Sequence, residues 1–97
     1  MQPLEHKQMR IKEDYRLQEL GDDHLLIGPA PDGRRRVIRL NAAAAFLWRS
    51  AAGTGRDFTV ADLAALLQAE YDLDPAVADR DARRLADAWI EAGIVLA

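Results

Sequence analysis

From Tyr15 to Leu40 apolar and polar positions alternate in short runs, and after Asn41 the spacing of apolar residues lengthens to that of a helix. Tyr15, Leu17 and Glu19 fall on one side of the first run, with Arg16, Gln18 and Leu20 on the other. Gly21-Asp22-Asp23 then supplies turn chemistry before the apolar run Leu25-Leu26-Ile27. Gly28-Pro29-Ala30-Pro31-Asp32-Gly33 is a second turn, because proline fixes φ and glycine admits positive φ. It leads into Arg36-Val37-Ile38-Arg39-Leu40, where Ile38 and Leu40 share a face. The pattern predicts antiparallel strands near 15–20, 24–28 and 35–40.

Asn41 is a strong helix N-cap ahead of the alanine-rich run Ala42–Ser50, whose apolar stripe is Ala44, Leu47, Trp48 and Ala51. This helix is expected over 42–51, with Gly53-Thr54-Gly55 ending it. Thr59 with Asp62 reads as a capping box, and Phe58 with Leu63 as its hydrophobic staple. They start a second helix over 60–71 that buries Leu63, Leu66 and Leu67. Asp74-Pro75 caps and opens a third helix, 75–92, with Gly93 just beyond its end. Its apolar side is Ala78, Ala82, Leu85, Ala86 and Trp89, and Ile94-Val95-Leu96 packs back on the core. Leu40, Leu47, Leu63, Leu67, Leu85 and Trp89 are expected to be largely buried. Three strands followed by three helices make an α+β domain. Residues 1–13 show no sustained periodicity and read as a flexible arm ahead of a domain over 14–97.

The 97 residues, 49 % hydrophobic and 30 % charged, are the balance of one small globular unit with little interior for a deep substrate cavity. That favours a binding module. With no cysteine the chain has no disulfide, thiolate metal site or cysteine nucleophile, which fits a reducing cytoplasm. No apolar run approaches the roughly 20 residues of a membrane span, and the polar opening predicts no signal peptide. Residues 1–40 hold 8 Lys/Arg against 7 Asp/Glu, and residues 41–97 hold 5 against 9, giving the net −3. The one basic cluster is Arg34, Arg35, Arg36 and Arg39.

Catalytic and metal chemistry find no support in the pattern. His6 and His24 lack ligand-type neighbours and read as solvated side chains, and Ser50 reads as a polar helix terminus without a partner base. Gly53-Thr54-Gly55 is not followed by Lys-Ser/Thr, so a phosphate loop fails. Asp72, Asp74, Asp79 and Asp81 lack the glycine and terminal glutamate of a calcium loop. Neither a cofactor nor a metal is expected, and Trp48 and Trp89 read as core.

The ordered set Ile38-Arg39-Leu40-Asn41 entering Ala42–Trp48, then Phe58-Thr59 with Asp62-Leu63-Ala64 and Leu67, then Tyr71-Asp72, then Asp81-Ala82 through Leu85-Ala86, Trp89 and Gly93-Ile94-Val95, resembles the coenzyme PQQ synthesis protein D family. The resemblance runs from about Ile11 to Val95. Ala43 stands where that family often has threonine, and Gly28-Pro29-Ala30-Pro31 departs from the segment of the PQQ-pathway members, so PQQ synthesis itself is not implied. What the resemblance implies is a winged helix-turn-helix-like domain without catalysis of its own. Its sheet takes the leader of a ribosomally made precursor peptide as an added strand, between the third strand and the third helix. The partners implied are that leader and a separate modifying enzyme, frequently a radical SAM protein, or a leader-removing protease.

On this reading the peptide lies against Arg35, Val37, Ile38 and Arg39 of the third strand and Val77, Asp81, Arg84, Leu85 and Ala88 of the third helix. Edge strands offer unpaired backbone groups, and small residues at 88 and 92 let a peptide approach. The rival readings are a winged-helix DNA-binding regulator and a general protein–protein interaction module. Against the first, residues 74–92 carry five acids and three arginines where phosphate binding needs positive charge.

Overall fold

A computed structural model describes residues 8–96. Its elements are β1 (Arg10–Ile11), β2 (Arg16–Leu20), β3 (Asp23–Pro29), β4 (Arg35–Leu40), α1 (Ala42–Thr54), α2 (Val60–Tyr71), α3 (Pro75–Ala92) and β5 (Val95–Leu96). β2, β3 and β4 form an antiparallel sheet in that order, and the three helices follow it in the chain, which is the expected α+β arrangement. The β2–β3 hairpin closes at Leu20↔Asp23, so its two-residue loop needs positive φ, and Gly21 supplies it at +62°.

Each helix starts where its cap dictates. The Asn41 side chain accepts from the Ala44 amide at 2.8 Å. Thr59 and Asp62 form the reciprocal capping box, at 3.2 and 2.9 Å. Asp74 accepts from the Ala76 amide at 2.9 Å, with Pro75 in the first turn. α1 runs past Ala51 to Thr54 because Gly55, at φ +63°, is the residue that takes the left-handed turn, so the link to α2 is shorter than expected. α2 ends on Asp72 at φ +51°, a conformation that an aspartate adopts more readily than a branched residue.

Leu26 and Leu40 of the sheet, Leu47 and Trp48 of α1, and Leu63 and Leu67 of α2 are buried in one core. α3 contributes Ala78, Ala82 and Ala86, all fully buried, and below them Trp89. Trp48 and Trp89 meet edge to face at 5.3 Å, and Phe58 meets Trp89 the same way at 6.2 Å. Both tryptophans are therefore packing residues. Two expected core residues, Leu66 and Leu85, are only half-buried, because α3 turns its alanine stripe to the core and leaves Leu85 on the shoulder.

The stretch 1–13 divides. Residues 1–7 lie outside the described residues. Met9 is 1 % exposed and exchanges backbone hydrogen bonds with Phe58 at 2.7 and 2.8 Å, while Arg10 and Ile11 pair with Leu96 and Val95. A two-residue strand carries no periodicity, so alternation gave no sign of it. Its partner is β5, which makes the apolar C-terminal tail part of a second small sheet.

Truncating Leu67 to alanine is expected to cost about 2–5 kcal/mol in chemical denaturation, whereas Leu85→Ala, half-exposed to begin with, is expected to cost under about 2 kcal/mol. Equal losses would place Leu85 in the core after all. Ala82→Leu is expected to destabilise by about 1–3 kcal/mol, since α3 has no room for a larger side chain on that stripe.

Candidate functional site

β4 is an outer strand of the sheet, hydrogen-bonded to β3 on one side. The register shows which of its backbone groups are free. In the β2–β3 hairpin Leu20↔Asp23 closes the two-residue loop and is a hydrogen-bonded pair, so Asp23, Leu25 and Ile27 bond toward β2. His24, Leu26 and Gly28 therefore bond toward β4, opposite Leu40, Ile38 and Arg36. The next pair in the same phase agrees, with the Ala30 amide donating to the Arg34 carbonyl at 2.6 Å. The amides and carbonyls of Arg35, Val37 and Arg39 consequently point to the open edge.

The side chains of β4 alternate with the same parity. Arg36, Ile38 and Leu40 turn inward and are half-buried or buried, while Arg35, Val37 and Arg39 are exposed on the outer face. Val37 is 54 % exposed, a large apolar side chain left in water. Arg39 lies 3.9 Å from Asp23 and Arg34 lies 3.7 Å from Asp32. Arg35 has no ion-pair partner among the described residues.

Arg36 does not belong to the outer basic cluster. Its guanidinium donates to the carbonyl of Ala92 at the end of α3 and sits 5.6 Å from the centre of the Tyr15 ring. The Tyr15 hydroxyl in turn donates to the Pro29 carbonyl. The ring lies so close over Gly28 that a Cβ there would be 2.3 Å from it. Tyr15 and Arg36 thus set the distance from β4 to the last turn of α3.

At the other end of β4 a groove of about 560 Å³ opens between the helices, bordered by Asn41, the residue after the strand. Its apolar walls are Ala43, Leu47, Leu67, Tyr71, Leu73 and Leu85, with Ala88 beside them and Asp81 and Arg84 at its polar margin. Phe46 braces Tyr71 edge to face at 6.1 Å. From Arg36 to Asn41 is about 17 Å of strand, and from Ala92 back to Asp81 is about 17 Å of helix. β4 is thus tied to the last turn of α3 through Arg36 and Ala92, and the residue after its far end, Asn41, borders the groove that Asp81, Arg84, Leu85 and Ala88 of α3 line.

Of the residues expected at a peptide site, Asp81, Arg84, Leu85 and Ala88 come together in this groove. Arg35, Val37, Ile38 and Arg39 form the adjoining strand but do not line it, and Val77 does not reach it. Tyr71 and Leu73 were missed as wall residues. Their signal was present, since both are apolar and fall off the core stripe at the α2–α3 link. A second cavity of about 550 Å³ between α1 and α2 is lined by Ser50, Arg56, Asp57 and Asp62 among others.

The histidine reading needs correction for His24. Its side chain is 21 % exposed, on the inner face beside Glu19 at 3.4 Å, because its strand position faces inward with Leu26. His6 lies outside the described residues. Ser50 donates to the Phe46 carbonyl at 2.9 Å, an ordinary helical back-bond. Among the described residues no group of three or more His, Asp or Glu side chains is placed to hold a metal ion, and no helix is long and apolar enough to cross a membrane.

The family model for coenzyme PQQ synthesis protein D matches residues 30–95, which spans β4, the three helices and the first residue of β5. The chain belongs to this family. Both walls of the groove lie inside the matched segment of this PqqD-family chain. Two solved structures share its fold. "TbiB1 in Complex with the TbiA(beta) Leader Peptide" superposes with a TM-score of 0.66 at 19 % identity, over 89 % of this chain and 93 % of that one. "Lasso peptide synthetase B1 complexed with the leader peptide" gives 0.69 at 22 % identity, over 92 % and 98 %. No curated protein sequence matches the chain.

Replacing Gly28 by alanine is expected to lower stability by about 1–3 kcal/mol, because the Tyr15 ring must move. Tyr15→Phe removes one hydrogen bond and is expected to cost about 1 kcal/mol while leaving the ring in place. Thermal melts of the two variants check this, and a neutral Gly28→Ala would mean that the ring does not rest on β3.

Proposed function

We propose that this chain binds the leader segment of a ribosomally synthesised precursor peptide and holds it for a separate modifying enzyme or leader protease, with no catalytic step of its own. The observation that carries the reading is the open backbone row at Arg35, Val37 and Arg39, on a strand whose far end, at Asn41, meets an apolar groove. An extended peptide added there gains up to six backbone hydrogen bonds, two at each of the three residues. Such bonds are indifferent to sequence, each contributing about 0.5–1.5 kcal/mol net. Side chains dropping toward Leu85 and Ala88 add apolar burial and sequence choice. The two structural neighbours support the reading, since each is described in complex with a leader peptide.

Peptide contact is assigned to Arg35, Val37, Ile38 and Arg39 on the strand and to Asp81, Arg84, Leu85 and Ala88 on the helix, with Val77 one turn beyond Asp81. The modifying partner is a protein that acts on the peptide's core segment, of the radical SAM class or another. A DNA-binding regulator draws less support, because Arg83 of α3 is paired with Asp79 at 2.9 Å and Arg80 lies 3.9 Å from Asp81. α3 presents little uncompensated positive charge to a phosphate backbone.

The test is calorimetric titration with the synthetic leader of any short precursor peptide whose gene is found to neighbour this one. Ala88→Arg is expected to weaken binding at least tenfold by filling the groove, with an unchanged melting temperature because Ala88 is exposed. Reversing Arg35 and Arg39 to glutamate is expected to slow association and flatten its dependence on salt. Precursor incubated with this protein alone should keep its mass. Unchanged affinity in Ala88→Arg together with an unchanged salt slope in the double reversal would place the peptide elsewhere.

A further inference from the structure

The parity of β4 constrains the peptide more tightly than the presence of a groove does. Resting on the leader-binding reading above, we propose that the recognised peptide carries an acidic residue and a large apolar anchor separated by an odd number of positions, three or five when the acid lies opposite Arg35. Residues directly opposite in an antiparallel pair share a face, and neighbours along a strand point to opposite faces. The added strand therefore has an outer row level with Arg35, Val37 and Arg39 and an inner row level with Arg36, Ile38 and Leu40.

The two rows meet different chemistry. On the outer side Arg35 lacks a partner among the described residues, and Arg39 is already close to Asp23 at 3.9 Å, so the unmet positive charge is concentrated at Arg35. On the inner side the position opposite Arg36 is crowded, because that guanidinium is engaged by Ala92 and Tyr15. The strand instead leads through Leu40 to Asn41, which borders the groove walled by Leu47, Tyr71 and Leu85, so the positions opposite Ile38 and Leu40 are the inner-row positions nearest to it. The groove margin carries both Asp81 and Arg84, so it favours neither sign of charge. The acid thus belongs to the outer row and the anchor to the inner row. From the position opposite Arg35 to those opposite Ile38 and Leu40 is three or five residues. Reversing strand direction changes which comes first, but not the parity.

An affinity selection of random 14-residue displayed peptides on the full chain tests this, run in parallel on Arg35→Glu and Ala88→Arg. Enriched peptides are expected to share an acid and a large apolar residue at odd separation. Arg35→Glu is expected to replace that acid by lysine or arginine at the same spacing. Moving the acid by one residue in a synthetic copy of the best binder takes the carboxylate from the outer row to the inner one and is expected to weaken binding at least tenfold, whereas moving it by two keeps the row and costs less. Enriched peptides that lose binding to Ala88→Arg but show even or random spacing, or an acid indifferent to Arg35→Glu, overturn the parity proposal and leave leader binding standing. No enrichment, or enrichment indifferent to Ala88→Arg, overturns both.

Discussion

Trp89 decides where α3 lies. Its ring is held edge to face by Trp48 of α1 and by Phe58 of the α1–α2 link, at 5.3 and 6.2 Å, so one side chain fixes the C-terminal half of the helix against two other parts of the fold. Above it the fully buried Ala78, Ala82 and Ala86 let α3 close on α2 without large side chains intervening. Once α3 is set this way, Ala92 is in reach of Arg36, and Leu85 and Ala88 line the groove that Asn41 borders. The groove is therefore a by-product of how the tryptophan packs.

The sheet supplies the other half of the site by leaving something undone. Three strands bury their inner row, Leu26 and Leu40 among it, and among the described residues no strand pairs with β4 on its outer edge. Exposed edges invite association, and natural sheets usually blunt them with charge. Here Arg35 and Arg39 flank Val37 on the exposed row, which discourages a second copy of the same edge by like-charge contact while suiting an acidic strand. Protection against self-pairing and the proposed recognition of a peptide rest on the same residues.

Much of this was legible in the chain because it is local. The caps at Asn41, Thr59 and Asp74, the left-handed glycines at 21, 55 and 93, and the alternation in Arg36–Leu40 need only neighbouring residues to be read. What was not legible depends on long-range placement. Arg36 looks like one of four clustered arginines until its contact with Ala92, 56 residues away, shows it turned inward. Leu85 fits the helical stripe as well as Ala86 does, and only the rotation of α3 set by Trp89 separates the two. Arg10 and Ile11 form a strand of two, next to the Met9–Phe58 bridge, that exists because Leu96 and Val95 are there to pair with it. The open edge and the two faces of β4 were thus readable from alternation. On the helix side Tyr71 and Leu73 were missed, because they flank a link rather than lie on a stripe.

The central claim is that β4 receives a peptide strand on its open edge, and amide hydrogen exchange followed by NMR during titration with the leader reads that edge directly. The account predicts that the amides of Arg35, Val37 and Arg39 gain protection on binding, while those of Arg36, Ile38 and Leu40, already bonded to β3, change little. New protection at Leu17 and Glu19 on the far edge of the sheet, or none at β4 in a saturated complex, would contradict it.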